Sequence, residues 1–121
     1  MTKNTNYSFI MEANAALMRM SSLTGKIGFA IMRTRNALKP EIDIIDEMRN
    51  NLIKKYGKDG KIKPEDDGWN AFIKEYIDFL NDTKVDIEIH QIEPDEWNDD
   101  AVYCESAQAQ DYFLVKSLLV K

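Results

Sequence analysis

One cysteine, Cys104, and one histidine, His90, are all that the chain has of either residue. An intrachain disulfide is therefore impossible, and thiol-rich or histidine-rich metal sites are excluded by counting. Long apolar runs are missing too: the longest, such as Phe29 to Met32 and Tyr112 to Val115, are four residues each. A membrane-spanning helix needs about 20, so no spanning segment is expected. Met1-Thr2-Lys3-Asn4 leads into polar Thr5 and Asn6, without the charged-then-apolar order of a secretory signal, and this points to a cytoplasmic product. Phosphate-cradling glycine loops are also lacking, since neither Gly25-Lys26-Ile27-Gly28 nor residues 57–68 fit a Walker or dinucleotide pattern.

What is present fits one soluble domain of 121 residues, 44% hydrophobic and 31% charged. Its net charge of −5 hides an asymmetry: residues 1–63 hold twelve Lys/Arg against six Asp/Glu, whereas residues 65–105 hold two against fourteen. A basic first half folded against an acidic second half accounts for this. The overall negative charge argues against simple electrostatic attachment to nucleic acid.

The longest helical pattern runs from Lys26 to Tyr56. Ile31, Leu38, Ile45 and Leu52 fall seven apart, with Thr34, Ile42, Met48 and Tyr56 at the half-steps. Pro40 interrupts the backbone pattern by removing a donor to Asn36, yet the apolar phase passes through it unchanged. One helix kinked at Pro40 is the expectation; two helices, 26–38 and 40–56, are the alternative.

Before it, Ala16, Leu17, Met20 and Leu23 predict a helix over 13–23, with Gly25 in the left-handed conformation after its end. The alternation of Tyr7, Phe9 and Met11 predicts a strand over 6–11, with a helix starting at Ser8 as the alternative. After it, residues 57–68 read as a loop with an Asp59-Gly60 turn. Trp69, Phe72, Ile73, Tyr76, Ile77 and Leu80 then make an antiparallel partner helix capped by Asp66 or Asp67.

Val85, Ile87 and Ile89 alternate with Asp86, Glu88 and His90 as a strand. Its partner is expected in 6–11, with 101–104 as a third candidate. An acidic connector, 93–100, leads to a final helix within 106–120. The fold class is thus α+β, mostly α: a long kinked helix and its partner, a two- or three-stranded sheet and a C-terminal helix.

Chemistry-bearing patterns are sparse. Glu88, His90 and Glu93 are too few for a specific metal site, Lys61 stands where a calcium loop needs an oxygen ligand, and Cys104 has no sequence-evident base. No catalytic residue, metal or cofactor is assigned. Lys54, Lys55, Lys58, Lys61 and Lys63, and separately Arg33, Arg35 and Lys39, are basic clusters read mainly as solvated surface, so direct nucleic-acid binding is not the leading reading. Trp97, Tyr103, Tyr112 and Phe113 are the candidate protein-contact residues, with core filling as the bland alternative. Asp78, Asp82, Asp86, Glu88, Glu93, Asp95, Glu96, Asp99 and Asp100 form a candidate acidic face.

Leu23-Thr24-Gly25-Lys26 opening a long helix, Glu41 and Glu47 along it and Lys54-Lys55-Tyr56-Gly57 closing it, followed by Phe72, Glu75, Leu80 and the Val85-Ile87-Ile89 strand, give an order of elements. That order resembles a family of short proteins of tailed phages and prophages of Gram-positive bacteria, often encoded near tail and lysis genes. Pro40 departs from the pattern. The resemblance implies a phage or prophage setting, in the host cytoplasm or on the virion, and carries over no functional residue. A non-enzymatic protein acting by protein–protein contact, in virion assembly or toward the host, is the leading expectation. An acidic mimic that inhibits a nucleic-acid-binding or defence protein is the alternative. Self-association through the heptad-like stripe of the long helix is a further expectation.

Overall fold

The computed structural model describes every residue except Ala101. In chain order it comprises β1 (Thr2–Asn6), α1 (Tyr7–Arg19), α2 (Gly25–Tyr56), α3 (Trp69–Asp82), β2 (Lys84–Glu88), a 3-10 turn (Pro94–Glu96) and α4 (Ala109–Leu119). The α+β, mainly helical class is as read from the sequence.

The two strands pair antiparallel, with Thr2 opposite Glu88 and Asn6 opposite Lys84. The partner of β2 is thus the N-terminal segment, but at 2–6 and not 6–11. The Tyr7-Phe9-Met11 alternation was misleading because Tyr7, Ile10, Ala13 and Leu17 already follow helical spacing and are all buried. Asn6 caps this helix, its side chain accepting from the Phe9 amide at 2.9 Å. Residues 102–104 form no strand, and Ala101 lies outside the described residues.

α1 occupies the centre, packed against α2, α3 and α4. Ala13 and Ala16 are buried on it, and side chains this small let neighbouring backbones come close. α2 runs unbroken through Pro40. Asn36, whose carbonyl loses a donor to Pro40, is exposed along with the proline, so water is at hand for the freed acceptor. The stripe of Ile31, Thr34, Leu38, Ile45 and Leu52 is buried, most of it in the chain's own core. A second copy therefore cannot use that stripe as first expected.

Gly25 does adopt φ +69°, but as the entry to α2, several residues beyond the end of α1. Gly28 allows the first turn of α2 to close on Leu23, whose carbonyl oxygen would stand 2.1 Å from a Cβ placed there. In the following loop, Lys58 and Lys61 exchange backbone hydrogen bonds of 2.9 and 3.0 Å across Asp59 and Gly60. Both turn residues have positive φ, as a type I′ turn requires.

α3 returns antiparallel to α2. Its start lies at Tyr56, while Tyr7 links its other end to the middle of α2, packing against Phe79 with the rings tilted by 44° and donating to Glu41. Neither Asp66 nor Asp67 caps α3. The N-cap position is Gly68, and Asp66 instead accepts from the Lys63 amide at 2.9 Å to tighten the loop. Among the described residues no helix is long and apolar enough to cross a membrane.

Candidate interaction surfaces

The four aromatic candidates divide into two buried or half-buried side chains and two exposed ones. Trp97 belongs to the core, and its indole N–H donates to Asp99 at 2.7 Å. Tyr112 is half-buried; its hydroxyl accepts from the Cys104 amide at 2.8 Å and donates to the Cys104 carbonyl at 3.1 Å. Tyr112 therefore fixes Cys104 onto α4, and Asp99, held by Trp97, pairs with Lys116 of the same helix. Tyr103 and Phe113, in contrast, are 74% and 77% exposed. α4 turns Val115, Leu118 and Leu119 inward, which leaves Phe113 on the opposite side. Tyr103 lines a cavity of 370 Å³ together with Trp97, Asp99, Val102, Ala107 and Tyr112. Cys104 is buried, its sulfur 3.6 Å from the Ser22 hydroxyl.

The nine acidic candidates do not form one free carboxylate face. Glu96 pairs with Lys26 at 2.6 Å, Glu93 with Lys121 at 2.6 Å, Asp99 with Lys116 at 3.1 Å and Asp78 with Lys74 at 2.9 Å. Lys26 holds the Glu96 carboxyl below its usual range, and Lys116, with help from the Trp97 N–H, does the same for Asp99. Glu93 and Glu96 also close a capping box around the 3-10 turn. On β2, Asp86 accepts from Asn4 at 2.9 Å and Glu88 from the Thr2 hydroxyl. Asp82, Asp95 and Asp100 are exposed.

A second surface, which periodicity alone did not single out, lies on the outer side of α2. Phe29 and Met32 sit off the buried stripe and are more than half exposed, and Met18 of α1 is 52% exposed beside them. Arg33 and Lys39 face solvent as expected. Arg35 does not: it is half-buried, and its Nε is buried with no hydrogen-bond partner. The signal for this surface was in the sequence, because the apolar run 29–32 is wider than the stripe it joins.

His90 is exposed and stacks edge-on against Phe29 with ring centroids 5.1 Å apart. Its amide donates to the buried Thr34 hydroxyl at 3.1 Å, which ties the end of β2 to α2. Among the described residues, no group of three or more His, Cys, Asp or Glu side chains is gathered as a metal site. No protein-family model, curated protein or solved structure matches the chain.

Proposed function

We propose that the chain is a small non-enzymatic protein that works by binding another protein, in phage virion assembly or as a host-interaction factor, in the host cytoplasm or on the virion. The observation that carries the binding role is the exposure of Tyr103 and Phe113, two large aromatic side chains about three-quarters exposed, the first of which lines a mainly apolar cavity. Exposed aromatics next to a pocket are what partner-binding anchors look like, since they bury much area at small entropic cost. The phage setting rests on the resemblance of the element order alone.

The test is capture from phage-producing cells with the tagged chain and with a Tyr103→Ala/Phe113→Ala variant. Recovery of one phage structural protein by the parent chain, lost with the variant, supports the reading. Equal recovery by both would sink it. The inhibitor alternative keeps Asp82, Asp86, Asp95 and Asp100 as carboxylates without an ion pair to any described residue, and recovery of a nuclease complex would favour it.

A further inference from the structure

The charges along α2 change sign abruptly at Pro40. Residues 25–40 hold Lys26, Arg33, Arg35 and Lys39 and no acid, whereas residues 41–47 hold Glu41, Asp43, Asp46 and Glu47 and no base. The helix dipole does not explain this order, since it favours acids in the first turn, where α2 has none. Arg35 and Lys39 stand four residues apart on neighbouring turns, as do Asp43 and Glu47, so each pair is repulsive within the monomer.

Some charges of the chain are paired within it, as in Arg19–Asp111, Lys26–Glu96, Lys55–Glu75 and Lys121–Glu93. Arg33, Arg35, Lys39, Asp43, Asp46 and Glu47 make no ion pair with any described residue. Between α1 and this part of α2 opens a groove of 420 Å³, with Met18, Met32 and Ile42 among its apolar lining and Arg35, Lys39 and Asp43 among its charged lining. Exposed methionines suit such a surface because their flexible thioethers adapt to a partner.

We infer that the face of α2 that carries Arg35, Lys39, Asp43 and Glu47 binds a second copy of the chain, α2 against α2, antiparallel about a two-fold axis level with residue 41 along the helix. That axis sets Lys39 opposite Asp43 and Arg35 opposite Glu47 of the second copy, each twice. Both repulsive pairs thereby gain opposite charges, and a Glu47 carboxylate supplies an opposite charge for the Arg35 side chain, which has no ion pair with any described residue. An unrelated acidic partner would answer only the basic end of the pattern. A second copy answers both ends at once, as a self-complementary two-fold interface must. The contact is separate from the buried stripe of α2 and from the Tyr103–Phe113 surface.

Analytical ultracentrifugation of the full chain, from micromolar to submillimolar concentration, tests this with two exposed reversals, Lys39→Glu and Asp43→Lys. The parent chain is expected to form a dimer of twice 14.0 kDa. Each reversal places two like-charge contacts in that dimer and should weaken it by at least about tenfold. Mixing the two variants restores opposite charges at both contacts and should restore the dimer as a one-to-one complex. Circular dichroism checks that both variants keep the helical fold. A parent chain that stays monomeric, reversals that dimerise as well as the parent, or a mixture that fails to recover would each overturn the inference. A monomeric parent that still captures a phage protein would leave the proposed function standing.

Discussion

Arg19, the last residue of α1, grips Asp111 in the first turn of α4 with two hydrogen bonds of 2.8 Å, Nε to Oδ2 and Nη2 to Oδ1. The carboxylate is buried while the guanidinium stem reaches it from the surface. Asp111 also accepts from the Gln108 amide at 2.9 Å, so one side chain caps α4 and docks it on α1. Arg19 holds the Asp111 carboxyl below its usual range.

Because the folded state lowers that pKa, the stability it contributes is fully present above the unfolded value of about 3.9 and is lost as pH falls through the folded value. Asp111→Ala should cost about 2 kcal/mol at neutral pH. It should also flatten the acid limb of the stability profile below about pH 4. Urea titrations at several pH values would show both; an unchanged acid limb would mean that Asp111 is not the group responsible.

At the alkaline end, Tyr7 takes over. Burial, reinforced by its hydrogen bond to Glu41 at 2.7 Å, pushes its hydroxyl up to about 12. The folded state then holds a proton that the unfolded chain releases near pH 10. Stability should fall as pH rises from there toward the folded value. Tyr7→Phe should remove much of that fall and cost about 1 kcal/mol at neutral pH, read from thermal melts at graded pH.

Thr34 is fully buried in α2, and its hydroxyl accepts the His90 amide. Thr34→Val keeps the shape and removes the acceptor, so the amide at the end of β2 loses its partner. A loss of about 1–2 kcal/mol is expected, with faster amide hydrogen exchange localised to His90. Global destabilisation without a change at His90 would refute the assignment.

Trp97 and Phe113 should separate cleanly in stability. Trp97→Ala opens a cavity in the core and should cost about 3–5 kcal/mol, whereas Phe113→Ala, at an exposed site, should change stability by about 0.5 kcal/mol or less. Chemical denaturation of the two variants checks this, and a strongly destabilised Phe113→Ala chain would place that ring in the core.

Periodicity was enough to find α2, α3 and β2, because seven-residue spacing and strict alternation each leave one buried face whatever surrounds them. It was also enough to carry α2 through Pro40: Leu38 and Ile45 keep their phase, and the lost hydrogen bond faces water. Local pattern failed where two periods overlapped, as at Tyr7-Phe9-Met11, since only pairing with Lys84 to Glu88 decides where strand ends and helix begins. Capping failed at Asp66 for a related reason, because a nearer amide in the loop took its oxygen.

The sequence by itself determined the two long helices α2 and α3, the strand β2 and the separation of charge between the halves, whereas α1 and the strand paired with β2 took their bounds from the fold. Only the tertiary structure decided which aromatics are exposed and which are core, since Trp97 and Phe113 differ in what packs over them. It also decided which charges are satisfied. An acid's partner can be distant in the chain, as Lys26 is from Glu96 and Arg19 from Asp111, so no local spacing reveals that 33–47 of α2 is left with charges unmatched.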